Sequence, residues 1–241
     1  MIHNSTQVYK LLKWDSSFFG FKVALIYGSS NNLSEILHQL EANKVKLAYC
    51  FISDKDRKAN NNALKKGGLL VDRKVTYRGL IGSEELPPVN TDKIKSFLFK
   101  PLNDKILSLA LQSGIYSRFC LDKHFASDAY EKLYSEWISK SLAKIIADEV
   151  YMYVEEGKEQ GLITLSRKDN YAEIGLLAVD TMSRGKSLGK QLVNAASVKT
   201  SEWGYNTLKV ATQKENIPAC RFYEKLGFEI EKIENIYHFW L

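Results

Sequence analysis

AVDTMSRGKSLGKQLV, Ala178 to Val193, decides how this chain is read. It begins on the aliphatic end of a strand and finishes inside an amphipathic helix. A simple turn needs two or three residues, yet here Ser183 to Lys190 are almost all small or cationic. A helix N-terminus presents unpaired N–H groups and about half a positive charge, and so attracts phosphate-like anions. Gly185, Ser187 and Gly189 let a ligand approach the main chain, and Arg184, Lys186 and Lys190 add formal charge. Leu188, Leu192, Ala195 and Ala196 share one helix face, so the amides are carried by an anchored helix. On this stretch alone, a structural turn with exposed basic residues remains the alternative.

Working outward, Val150–Glu155, Gln160–Arg167 and Tyr171–Val179 read as strands with hairpin punctuation at Glu156-Gly157-Lys158 and Lys168-Asp169-Asn170. Downstream come a helix from about Ser187 to Glu202, a strand Thr207–Gln213, a helix Ile217–Leu226 and a closing hairpin Phe228–Leu241. Asn216 is a good N-cap, Pro218 suits a first turn, and Gly227 closes the helix. Ala219, Phe222, Tyr223 and Leu226 form one stripe, which turns Tyr223 inward, where its hydroxyl needs a partner. A core tyrosine with a satisfied hydroxyl is the plain reading of that residue.

Upstream, Asn103–Gln112 reads as a helix closed by Gly114. A long helix follows from Ser127 to about Ala147, with Tyr130, Tyr134, Trp137 and Ile145 on its core stripe. Before these, Phe21–Tyr27 and Val45–Ile52 read as strands. Leu33, Ile36, Leu37 and Leu40 mark a helix, Asn60–Lys66 a short helix stopped by Gly67-Gly68, and Leu69–Ile81 one or two strands. Gly82–Asp92, with two acids and two prolines, reads as a linker. It divides the chain into a smaller α/β domain, 1–88, and a larger one, 89–241. The fold class is α/β (α+β): a mixed, mostly antiparallel sheet with flanking helices and a parallel junction inside it. No internal repeat occurs at solenoid periods.

The 241 residues carry ordinary apolar and charged fractions, 45% and 26%, as a globular chain does. No run of about 18 apolar residues exists to span a membrane, and MIHNSTQVYKLLKWD lacks the apolar core of a signal peptide. Cys50, Cys120 and Cys220 are far apart, without disulfide-framework or metal-ligand spacing, which fits a reducing cytoplasm and no metal. The net charge of +6 lies wholly in the first half: residues 1–113 hold 17 Lys+Arg against 10 Asp+Glu, and residues 114–241 hold 17 against 18. Scattered lysines without a reader motif argue against nucleic acid and are compatible with a small phosphorylated ligand.

Arg184-x-x-Ser187-x-Gly189 after a strand, then Asn216-x-x-Ala219-x-Arg221-Phe222-Tyr223-x-x-x-Gly227-Phe228 after the next, resembles the GCN5-related N-acetyltransferases (GNAT) over roughly residues 115–241. Ser187 departs from the family pattern, which usually has glycine there. The resemblance implies acetyl-CoA as acetyl donor. Its diphosphate would lie on the loop Arg184, Gly185, Lys186, Ser187, Leu188, Gly189, Lys190, and its pantetheine arm would run beside Leu177 and Val179 and bond to Asn216. It further implies Tyr223 as the proton donor to the departing thiolate, the chemistry of a general acid. Glu173 and His238 are candidate bases, with ordered water an equal option.

Trp14-Asp15-x-x-Phe18-Phe19-Gly20, SRFCLDKHF (Ser117–Phe125), YEKLYSEWISKSL (Tyr130–Leu142) and Tyr237-His238-Phe239-Trp240 extend the resemblance to the dTDP-fucosamine (dTDP-4-amino-4,6-dideoxygalactose) N-acetyltransferase group. This implies a dTDP-linked amino-dideoxyhexose as acceptor, for surface polysaccharide, and a homodimer. Arg118 and Lys123 are candidate contacts to the acceptor's phosphates, and Glu173 to its amine. Trp14, Phe18 and Phe19 read as core or dimer contacts. Another amine as acceptor, or a module that binds acetyl-CoA without turnover, are the alternatives.

Overall fold

The computed structural model describes residues 8–27, 32–82 and 88–241. The chain packs into two compact units. The first holds residues up to Val75 together with Gln213–Glu215 and Lys232–Leu241; the second holds Thr76–Thr212 and Asn216–Glu231. The linker reading cuts the chain once, near residue 88, whereas packing returns the final strand to the first unit. Part of that linker lies outside the described residues.

In the first unit the elements are β1 (Tyr9–Leu11), α1 (Lys13–Phe19), β2 (Lys22–Ile26), α2 (Leu33–Ala42), β3 (Val45–Ser53), α3 (Arg57–Lys65) and the start of β4 (Leu69–Leu80). β1 pairs antiparallel with β2, and β2 pairs in parallel with β3 across the α2 crossover. The α2 stripe Leu33, Ile36, Leu37 and Leu40 is buried against Ala24, Ile26, Ala48 and Cys50, each large side chain contributing about 2 kcal/mol. Burial also pushes the Cys50 thiol up to about 12. Trp14, Phe18, Phe19 and Phe21 make a chain of ring contacts that ends on Trp240, yet Trp14 stays 46% exposed.

The second unit contains β5 (Ile94–Ser96), α4 (Asp104–Ser113), α5 (Arg118–Leu121), α6 (Ala129–Leu142), β6 (Glu149–Glu155), β7 (Lys158–Arg167), β8 (Ala172–Val179), α7 (Leu188–Glu202), β9 (Thr207–Gln213) and α8 (Ile217–Lys225). β5, β6, β7 and β8 run antiparallel in that order, and β8 and β9 run parallel, the junction expected from the sequence. Ile106, Leu109, Ile138, Met152, Leu162, Ile163, Leu192 and Leu208 form its fully buried centre. Among the described residues no helix is long and apolar enough to cross a membrane.

Two sequence expectations need correction. The closing hairpin is one strand, β10 (Glu229–Trp240), which pairs antiparallel with β3 from Glu234↔Ser53 to Trp240↔Leu47. Its partner is distant in sequence, so local punctuation could not reveal it. The long helix stops at Leu142, because Lys144 takes a left-handed φ of 58°. Ile145, expected on the core stripe, is 67% exposed. Gly114 does close α4, at a φ of −108°; a Cβ there would lie 2.1 Å from the Tyr134 ring, so glycine is needed for close approach.

Candidate active site

Strand β8 carries one residue too many for its neighbour. Ile163 pairs with Leu177 and Leu165 with Ile174, so Gly175 and Leu176 both stand opposite Thr164, a β-bulge. Thr164 Oγ1 accepts from the Leu176 amide at 2.9 Å, supplying the bond that the bulge removes from the ladder. A Cβ on Gly175 would meet that same oxygen at 2.9 Å. On its other edge β8 pairs with β9 only at Ala172↔Leu208, Glu173↔Lys209 and Ile174↔Val210 among the described residues. From the bulge onward β8 leaves β9, and a gap opens between parallel strands.

A cavity of about 700 Å³ occupies this part of the second unit. Leu177, Ala178 and Val179 line it from β8, and Ser183, Arg184, Gly185, Ser187, Leu188, Gly189 and Lys190 from the loop and first turn of α7. Asn216, Pro218, Ala219, Phe222, Tyr223 and Lys225 line it from α8 and its cap, and Gln112, Ser113, Ile115 and Tyr116 from the end of α4. Its volume lies in the usual range for small-molecule sites. Among the described residues the lining includes three cations, Arg184, Lys190 and Lys225, and no carboxylate.

The loop geometry explains the residue types. Asp180 accepts from the Met182 amide at 2.9 Å and forms an ion pair with Lys105, which holds its carboxyl below the usual range. Ser183 Oγ donates to Gln160 Oε1 at 2.9 Å. Arg184 donates through Nε to the Val179 carbonyl at 3.1 Å, which orients its guanidinium. Gly185 has φ +80°, and a Cβ there would meet nothing within 4 Å, so glycine serves the backbone angle. Ser187 sits at the N-cap of α7 with φ 62°, left-handed, and its side chain caps no amide. This is where the resembled family usually has glycine; a serine there costs roughly 1 kcal/mol. The first amides of α7, from Leu188 to Lys190, lack intrahelical acceptors, and these three residues line the cavity. Open amides, three cations and no carboxylate fit an anionic ligand such as a diphosphate.

Tyr223 is 4% exposed and lines the same cavity. Its ring lies 5.8 Å from that of Tyr77, 5.2 Å from Phe222 and 5.7 Å from Phe228. Burial raises its pKa above the ordinary phenol value, so the hydroxyl keeps its proton at neutral pH. Asn216 Oδ1 accepts from the Ala219 amide at 3.3 Å, the cap read from sequence.

Thus Tyr223, Asn216, Leu177, Val179, Arg184, Gly185, Ser187, Leu188, Gly189 and Lys190 are brought to one cavity; Lys186 is on the loop but not in its lining. Glu173 pairs with Lys168 at 3.3 Å and lines a second cavity of about 190 Å³ with Trp137, Thr164 and Gly175. Arg118 stacks on Phe119 at 4.3 Å, and Lys123 is exposed; neither lines these cavities. His238 is fully buried in the first unit, 4.9 Å from the Tyr49 ring. Sequence reading missed the α4 wall, Gln112 to Tyr116. Its one local signal was the glycine at 114, whose close approach only the fold reveals.

Residues 115–228 match the model of the Acetyltransferase (GNAT) family. The spore coat polysaccharide biosynthesis protein SpsD of Bacillus subtilis is 27% identical over 137 residues, covering 57% of this chain and 47% of that one. An uncharacterized N-acetyltransferase of Methanocaldococcus jannaschii is 28% identical over 110 residues, covering 43% and 49%. The chain therefore spans about half the length of these curated relatives. A GCN5-related N-acetyltransferase from Sphaerobacter thermophilus superposes with TM-score 0.63 at 12% identity, over 96% of this chain and 76% of that one, and so shares the fold.

Proposed function

From a chain whose residues 115–228 belong to the acetyltransferase (GNAT) family, we propose an enzyme that transfers acetyl from acetyl-CoA to the amine of a dTDP-linked amino-dideoxyhexose. One observation carries the reading: a buried Tyr223 lines the same cavity as an uncapped helix start, beside the point where β8 leaves β9.

The donor, when bound, supplies an acetyl group activated as a thioester. The amides of Leu188, Gly189 and Lys190, with the charges of Arg184, Lys186 and Lys190, hold its diphosphate. The main chain at Leu177 and Val179, together with Asn216, aligns its pantetheine arm. Tyr223 gives its hydroxyl proton to the leaving sulfur as a general acid. A main-chain amide near Leu177 stabilises charge that develops on the acyl oxygen. Glu173 or ordered water takes the proton of the acceptor ammonium, and Arg118 and Lys123 meet the acceptor's phosphates.

Support for a nucleotide sugar comes from the sequence resemblance at both ends of the chain and the surplus of lysine in its first half. The spore-coat polysaccharide name of one relative points the same way. The test is thiol release by the full chain with acetyl-CoA and a panel of amines. Release with dTDP-4-amino-4,6-dideoxyhexoses is expected; release with peptides or aminoglycosides alone would remove the sugar-nucleotide assignment. The same proposal makes the active form a homodimer, and a sedimenting species of 27.5 kDa alone would argue against it.

Gly189→Val offers a second check, on the loop. A Cβ at Gly189 already reaches 3.2 Å from the Phe222 ring, so a branched side chain enters the cavity or displaces that ring. Acetyl-CoA affinity is expected to fall by about tenfold or more, the scale of a lost anion contact. Thermal stability should change little, because leaving glycine favours the helix. Parallel losses in affinity and melting temperature would indicate a turn without a binding role.

A further inference from the structure

Two stretches of this chain share one architecture at a constant spacing. Adding 160 to the bounds of α3, Arg57–Lys65, gives α8, Ile217–Lys225, and adding it to β4, Leu69–Leu80, gives β10, Glu229–Trp240. The same shift carries the ends of α2 and β3, Ala42 and Ser53, to the ends of α7 and β9, Glu202 and Gln213. The crossovers match too, since β2–α2–β3 and β8–α7–β9 each join parallel strands.

The correspondence reaches single bonds. Asp56 accepts from the Ala59 amide as Asn216 does from that of Ala219. Gly67 and Gly227 both take φ +83°. The Gly68 amide donates to the Ala63 carbonyl at 2.9 Å, and that of Phe228 to Tyr223 at 3.0 Å. Buried Ile36, Leu40, Ala48, Cys50 and Ile52 fall on buried Ala196, Thr200, Leu208, Val210 and Thr212.

The closing strands, however, are exchanged. Asp54 N donates to Ile233 O, and Lys214 N donates to Arg73 O, the same pair with the copies reversed. Ile81 N donates to Asn206 O at 2.8 Å, and Leu241 N to Lys46 O at 2.9 Å, again reversed. A Cβ on Gly68 would strike the Phe239 ring, and a Cβ on Gly79 that of Phe228. In the second unit β4 lies beside β9, and in the first β10 lies beside β3.

Each exchanged strand carries a tyrosine at the matching position. Tyr237 OH donates to Asn60 Oδ1 on α3 at 2.8 Å. Tyr77 OH donates to Glu224 Oε1 on α8 at 2.8 Å and also meets Cys220, the counterpart of Asn60. The first copy has Ala63 where the second has Tyr223. We infer that the chain is an internal duplication with reciprocally exchanged closing strands, in which the first copy no longer supplies a proton donor and instead delivers Tyr77 to position Tyr223 in the second.

This rests on reading Tyr223 as the proton donor. Tyr77 grips the turn of α8 that carries Tyr223 and lays its ring 5.8 Å from that side chain. It is therefore a positioning residue, distinct from the structural tyrosine at the matching position.

The duplication supplies its own control. Tyr77→Phe and Tyr237→Phe remove equivalent hydroxyls from equivalent strands in the full chain. Both melting temperatures should fall by about 2–4 °C, the scale of one lost hydrogen bond in a chain of this size. Only Tyr77→Phe should lower kcat, by about tenfold, with KM for acetyl-CoA unchanged, as a misplaced catalytic group does. Glu224→Gln, which keeps an acceptor for Tyr77, should retain kcat, and Glu224→Ala should not. An unchanged kcat in Tyr77→Phe, or an equal loss in Tyr237→Phe, overturns the positioning role. Full activity in Tyr223→Phe would instead remove the proton donor, while equal stability losses in the two strand variants would still support the duplication.

Discussion

Tyr223→Phe is expected to lower kcat by about a hundredfold or more, the usual worth of a positioned general acid, while acetyl-CoA binding stays within about twofold, since the ring and its hydrophobic contacts remain. Two residue roles make opposite predictions here. A structural tyrosine whose hydroxyl is bonded costs about 1 kcal/mol when the hydroxyl is removed. Tyr223 shows no hydrogen bond from its hydroxyl to any described residue, and its ring is held by Tyr77, Phe222 and Phe228. Phenylalanine should therefore keep the fold's stability and lose the chemistry. Burial raises the phenol's pKa, so the wild-type hydroxyl stays protonated across the neutral range and is ready to donate. Isothermal titration with acetyl-CoA, a thermal melt and steady-state kinetics on one preparation separate the cases. Lost stability with retained kcat would make Tyr223 a core residue only.

Why this tyrosine could be read from sequence, and other parts of the site could not, follows from the range of the forces involved. The α8 segment announces itself locally: Asn216 caps, Pro218 fits the first turn, and Gly227 supplies φ +83°. The loop before α7 is legible for the same reason, since its small and cationic residues adjoin the helix they start. The serine at 187 could be flagged as a departure, but only the φ of 62° shows what a glycine would relieve. The gap beside the site comes from a bulge whose bond joins Thr164 to Leu176, a cross-strand match that no local pattern encodes. The α4 wall is set by a ring, Tyr134, packing on Gly114. β10 looked like a hairpin because its partner strand lies near the other end of the chain. The duplication leaves almost no trace in the letters. Between residues 33–80 and 193–240 only Ala59, Lys65, Gly67 and Tyr77 recur at their counterparts. Burial pattern, caps and turn angles persist where residue identity does not, because many side chains satisfy the same backbone.

A chain cut to residues 89–241, at the seam that composition suggests, is expected to lose cooperative unfolding and acetyl-CoA binding. The cut removes Thr76 to Leu80, which belong to the second unit. With them go the fully buried Tyr77, the Gly79 surface on which the Phe228 ring packs, and the Ile81 amide that donates to Asn206. β9 loses the neighbour on one side and presents an open edge, an invitation to aggregate. Burying one tyrosine and one phenylalanine ring is worth about 2–3 kcal/mol each, and the lost strand bonds add to that. The sum is comparable with the whole stability of an ordinary domain, about 5–15 kcal/mol. The loss should be recoverable: a peptide of residues 67–82 added to the fragment is expected to restore a melting transition and donor binding, because the piece missing from the second unit is one strand. A fragment 89–241 that melts cooperatively and binds acetyl-CoA as the full chain does would show that β4 is dispensable. The exchanged strand would then be a relic of the duplication, without a part in the site.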